Sequence, residues 1–213
     1  MENGSHLPGR FRPPAPQENV RVAVEHAVEM LRCQRAEQMA WLGAEPSGAL
    51  WRLPVLNDVL LADPAGGQVN TPAGRQVGPA WQVLVLHYLA VAHRPEPRPP
   101  ELTFADFPSG RGYAGVYQNR VIKRFCATAG RDLAAFRSAA ALLGGRPAQG
   151  GDAAFDFQVF PRVGLRLLWH APDEEFPPSA TLLLPGNVEE FFCTEDIVVL
   201  CESCTARLAG KPF

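Results

Sequence analysis

The sequence predicts an α+β fold: one domain in which an antiparallel or mixed sheet packs against several helices, one of them largely buried. Three observations predict it. Apolar residues make up 46% of the 213 and charged residues 20%, a balance that supports a packed core. Segments of helical periodicity and segments of two-residue alternation are interspersed without a regular βαβ order. One helix-length segment near the middle is apolar nearly all round, as a buried helix must be. The length favours a single domain over residues 18–213. Residues 1–17 are polar, contain Pro and Gly and lack the apolar stretch of a signal peptide, so they read as a mobile tail and the expected location is the cytoplasm.

The elements follow in chain order. Glu18 to Leu42 reads as a first helix, with Val20, Val24, Ala27, Val28 and Leu31 on one face and Arg21, Glu25, Glu29 and Arg32 mostly opposite; Gly43 suits its stop. Ala49–Leu53, Val55–Leu61 and Gln68–Val69 read as short strands punctuated by Pro46, Pro54, Pro64 and Gly66-Gly67. Pro79 to His93 is the apolar helix. Arg94 to Pro100 is a Pro-rich connector that cannot be helix interior. Glu101–Phe107 reads as a strand, and Gly115–Ala127 and Asp132–Leu143 as helices divided by Gly130 and ended by Gly144-Gly145. Ala154–Phe160, Gly164–Trp169 and Ala180–Leu184 read as strands; Leu165, Leu167 and Trp169 alternate with Arg166. A short helix near Val188–Phe192 and a last one over Thr194–Leu208 complete the chain, with Thr194 as N-cap and Phe176 and Trp169 anchoring the turn between the last strands.

Composition narrows the function. The formal net charge is −2, which argues against general nucleic-acid binding, and no run approaches about 18 apolar residues, so no membrane span is expected. The five cysteines are an odd number and do not suggest a secreted disulfide framework. Cys193, Cys201 and Cys204 are spaced as three thiolate ligands could be. The stronger reading puts Ile197, Leu200, Cys201, Cys204 and Leu208 on one apolar helix face, with Cys193 before the cap and facing Val198.

Two segments carry candidate chemistry. Gly110-Arg111-Gly112-Tyr113-Ala114-Gly115 matches G-x-G-x-x-G before a helix, but Pro108-Ser109 precede it where the dinucleotide fingerprint requires a strand. Its interest is electrostatic: residues 111–137 hold six basic side chains against one acid, Asp132. Arg111, Gly112, Tyr113, Tyr117, Arg120, Lys123 and Arg124 therefore form a candidate anion site, with arginines as bidentate partners and tyrosines as walls. The rival reading is internal, because residues 173–202 hold eight acids and no base. At the start of that stretch Asp173 and Glu175, with His170 just before it, lie in a turn and form a second candidate, for a hard cation or general acid–base work. A third reading makes the acidic stretch a docking face for a basic partner.

Several segments resemble a prokaryotic family, the domain of unknown function 3786. They are Val85-Leu86-His87-Tyr88-Leu89, Phe107-Pro108-Ser109-Gly110-Arg111-Gly112-Tyr113, Leu143-Gly144-Gly145, Phe160-Pro161-Arg162-Val163 through Leu168-Trp169 to Asp173-Glu174-Glu175-Phe176-Pro177, and Glu195-Asp196-Ile197. They cover about residues 20 to 208. The resemblance implies an association with anaerobic redox or tetrapyrrole chemistry, some members carrying a Cys-rich iron–sulfur module that this chain lacks, and it transfers no catalytic residue. The resulting expectation is a cytosolic binding protein for an anionic ligand or cofactor, a corrinoid or other tetrapyrrole among the candidates, with an iron–sulfur redox protein as a partner. The alternatives are an enzyme built on the His170 turn and an interaction module.

Overall fold

The computed structural model describes residues 16–213, so most of the expected tail lies outside the described residues. The chain forms two antiparallel sheets and a set of helices around one contiguous apolar core. The first sheet runs in the order β1 (Glu45–Ser47), β2 (Leu50–Val55), β3 (Asp58–Ala62), β4 (Val69–Asn70). The second runs β5 (Pro100–Thr103), β9 (Ser179–Pro185), β8 (Val163–His170), β7 (Ala153–Phe160), β6 (Arg146–Ala148). No helix among the described residues is long and apolar enough to cross a membrane.

The long first helix is in fact two, α1 (Pro16–Leu31) and α2 (Ala36–Trp41). The break has a visible cause. Gln34 Nε2 donates to the carbonyls of Leu89 and Val91 at 2.8 and 2.9 Å, and Gln38 Nε2 to those of Val91 and His93 at 3.0 and 2.7 Å. Those carbonyls follow α3 (Pro79–Leu89), which ends four residues before the expected His93. A helix leaves its last carbonyls unpaired; here Gln34 in the bend answers that of Leu89, and Gln34 and Gln38, the latter on α2, answer those just beyond it. Gly43 then stops α2 at φ 82°, a conformation that glycine adopts without steric cost.

Pro54 does not split a strand, as its position suggested; it lies inside β2, opposite Val59. β1 pairs only with Leu50–Arg52, so the missing N–H of Pro54 falls where β2 has no second neighbour. The expected strand at Glu101–Phe107 stops at Thr103. Asp106 Oδ2 accepts from the Thr103 N–H and hydroxyl at 2.8 and 2.7 Å, which turns Phe104–Asp106 into a 3₁₀ turn. Cys193, not Thr194, holds the cap position of α7 (Thr194–Leu208); Cys193 is exposed and Val198 is buried. Phe176 is 65% exposed and anchors nothing, whereas Trp169 is buried and donates to the Gly130 carbonyl at 2.7 Å.

In β8 the buried Val163, Leu165, Leu167 and Trp169 alternate with half-buried Gly164, Arg166, Leu168 and His170. One face of the second sheet thus enters the core, and the other is left for polar groups. α3 is the buried helix the composition called for, with Trp81, Leu84, Val85, Leu86, Tyr88 and Leu89 inaccessible. Tyr88 ties the layers together. Its ring stacks on Phe160 at 4.5 Å, and its hydroxyl donates to the Leu42 carbonyl at 2.7 Å and accepts the Arg162 N–H at 3.1 Å.

Tyr88→Phe removes that hydroxyl and leaves a buried carbonyl and a half-buried N–H without partners, a loss of about 2 kcal/mol. Urea denaturation checks it: a midpoint shifted down with an unchanged slope is expected, and an unchanged midpoint contradicts the role given to the hydroxyl.

Candidate functional site

The basic run forms a continuous helical stretch, α4 (Ala114–Tyr117), a π-helical turn (Gln118–Ile122) and α5 (Lys123–Ala127), followed by α6 (Leu133–Leu142). It lies against α7, and its arginines face that helix's carboxylates. Arg120 donates through Nε and Nη2 to Glu202 at 3.0 and 2.7 Å and through Nη1 to Glu195 at 2.8 Å; Arg124 also binds Glu202. Burial would lower the Arg120 pKa, but the hydrogen bonds to Glu195 and Glu202 outweigh it and raise it. A hollow of about 330 Å³ beside Arg120 and Arg124 also contains Glu202. Tyr117 is buried, stacked on Phe104 at 4.5 Å, with its hydroxyl beside the Cys201 thiol and no nitrogen or oxygen partner. Arg111, Gly112 and Lys123 are exposed and Tyr113 is half-buried; none of the four lines the Arg120 hollow. The first glycine of the motif is explained by packing, since a Cβ on Gly110 would strike the Phe104 carbonyl. The structure therefore brings Arg120 and Arg124 together but answers them internally.

The acidic turn likewise uses its own groups. Asp173 Oδ1 accepts the N–H groups of Glu175 and Phe176 at 2.9 and 2.7 Å, which closes the turn, and Glu175 is exposed. His170 is half-buried on the outer face of β8. Cys201 and Cys204 are buried on α7, and burial pushes the Cys201 thiol up to about 12, so it stays protonated near neutrality. Among the described residues no three His, Cys, Asp or Glu side chains are grouped as metal ligands.

A second group of arginines, without carboxylate partners among the described residues, borders a groove on the outer face of the second sheet. Register sets it there: Arg146 on β6 pairs with Asp156 on β7, and Asp156 with Arg166 on β8. Facing residues of neighbouring strands project to one side, so the three form a row. Arg166 and Asp156 join in a bidentate pair at 2.7 and 3.0 Å. Farther along, Arg162 in the β7–β8 turn lies over the Trp41 ring at 4.7 Å and donates Nε to the Trp41 carbonyl at 2.8 Å. Arg98 arrives from the Pro-rich connector. Together they line a groove of about 410 Å³ with Pro97, Pro99, Pro100 and Pro161 as apolar walls. It holds four guanidinium groups against one lining carboxylate, and among the described residues Arg98, Arg146 and Arg162 have no carboxylate partner. Composition could not find this set, because its members come from four separate segments. The available signal was the single charged residue on the outer side of each hairpin strand, which becomes a row only when the register is known.

A larger hollow, about 590 Å³, opens between α1, the end of α3 and the start of α7, lined by His26, His87, His93, Glu190, Cys193 and Asp196 among others. Its charges are already matched. His87 Nδ1 lies 2.7 Å from Asp196 Oδ2, His93 3.7 Å from Glu190, and Ser109 donates to Glu189. Burial acts to lower the His87 pKa, but the hydrogen bond and charge of Asp196 and the Ala23 carbonyl outweigh it and hold the pKa above 6.5. The imidazolium therefore joins α1, α3 and α7. With a folded pKa above the unfolded one, this contribution is complete below pH 6.5 and is lost as pH rises through the folded value. Stability to urea should fall over that window in the natural protein and lose that slope in His87→Gln; equal slopes contradict the clamp.

Comparison with known families places residues 36–207 in the match to Domain of unknown function (DUF3786). No curated protein and no solved structure matches the chain.

Proposed function

We propose that this chain, which belongs to the DUF3786 family, is a binding protein for an anionic small molecule held in the arginine groove of the second sheet. One observation carries the reading: three guanidinium groups, Arg98, Arg146 and Arg162, border a common hollow without a carboxylate of their own. Arginine stays charged throughout the physiological range, and its planar donors match carboxylate and phosphate oxygens two at a time. The groove is positioned by regular structure. Strand register sets the face from which Arg146 and Arg166 project, Asp156 holds Arg166, and the Trp41 ring and carbonyl hold Arg162.

The reading keeps the ligand class that the sequence suggests and moves its place, from the Arg111–Arg124 helical run to the sheet. Arg120 and Arg124 already hold Glu195 and Glu202, so an incoming anion there would have to displace a carboxylate. A tetrapyrrole bearing carboxylates belongs to the proposed class, and the absorption spectrum of protein purified without oxygen tests for it.

Calorimetric titration with citrate tests the site. Binding should weaken about tenfold in Arg146→Ala, the loss of one charge-assisted contact, and stay within twofold in Arg120→Ala. The reverse pattern overturns the placement.

A further inference from the structure

We infer that the groove takes an elongated ligand with an anionic group at each end, in contrast to a compact single anion; the inference rests on the reading of the groove as the binding site. The unanswered charge is divided between two places. Arg166 is already paired with Asp156, which leaves the middle of the Arg146–Asp156–Arg166 row neutral and the outer member, Arg146, free. Arg162 sits four residues before Arg166 along the chain, about 13 Å away at an extended rise. Arg146 lies two strands from Arg166, about 10 Å across the sheet and at right angles to the strand, so the Arg146 and Arg162 backbones are roughly 16 Å apart. Arg98 joins from the connector above.

Between the two ends the floor carries no net charge, because Asp156 and Arg166 are paired. Gln158 and Gly164 face each other across β7 and β8. The Gln158 amide donates to the Phe160 carbonyl at 2.7 Å. Gly164 needs no unusual backbone, and a Cβ there would come no closer than 3.5 Å to any atom, the Phe157 carbonyl oxygen. The space above it is therefore open groove that a side chain would fill. The floor of bare backbone and the proline rings at the walls suit an uncharged, partly apolar spacer. With side chains reaching inward from both ends, the ligand's anionic groups lie on the order of 10 Å apart.

A series of unbranched α,ω-dicarboxylates of increasing length, with acetate as the single anion, tests this by calorimetry on the full chain. Affinity should rise to a maximum near the member that spans about 10 Å and exceed that of acetate at least about tenfold, because only that member reaches both guanidinium ends. Arg146→Ala should abolish the length preference by removing one end. If citrate and acetate bind but affinity does not vary with chain length, the two-ended ligand is overturned and the groove stands as a simple anion site. If no carboxylate binds at all, the groove reading falls with it.

Discussion

An arginine side chain does not shed its charge under conditions in which a protein is folded, so every one that the fold gathers must be answered by a carboxylate, by water or by a ligand. That constraint sorts this molecule's surface. On the helical side the answer is internal: Arg120 and Arg124 meet Glu195 and Glu202 across the contact between the basic run and α7. On the outer face of the second sheet Asp156 answers Arg166, and Arg98, Arg146 and Arg162 remain. The two surfaces draw on the same residue type, and the difference between them is the supply of acids.

The groove exists because the sheet is buried on one side only. Val163, Leu165, Leu167 and Trp169 carry β8 into the core, and alternation then obliges Gly164 and Arg166 to face outward. Arg162 is fixed from below. Its N–H is held by Tyr88, whose ring is stacked in the core on Phe160, and its guanidinium lies on Trp41 at the end of α2. The position of one groove arginine is thus coupled to the packing of α3, α2 and β7. The bend between α1 and α2, where Gln34 and Gln38 answer the carbonyls beyond α3, places Trp41 where Arg162 can reach it. α1 itself precedes the family match and is joined to the rest through its packing on α3 and through His87.

Much of the fold was legible from local pattern. The alternation in β7 and β8, the amphipathic α7 with Cys201 and Cys204 inward, the all-apolar α3 and the stop at Gly43 all follow from periodicity and backbone preference. What was not legible depends on distant partners. The break at residues 32–35 answers carbonyls more than fifty residues away, and no local propensity announces it. β1 and β6 are short, and both contain Pro, so neither reads as a strand without its neighbour. The candidate site was the hardest part. Within the dense basic cluster of the sequence, Arg120 and Arg124 are matched by α7, and the sparse arginines of separate strands and loops form the groove. Charge density along a chain does not report charge balance in space; strand register decides which charges meet.

The central claim is that the anion-accessible guanidinium groups are those of the sheet and not those of the helices. Side-chain Nε–H resonances of the arginines, followed by two-dimensional NMR during titration with sulfate, read this directly. Shifts are expected for Arg98, Arg146 and Arg162, and stationary signals for Arg120 and Arg124. Movement of the helical pair with the sheet arginines unmoved would contradict it.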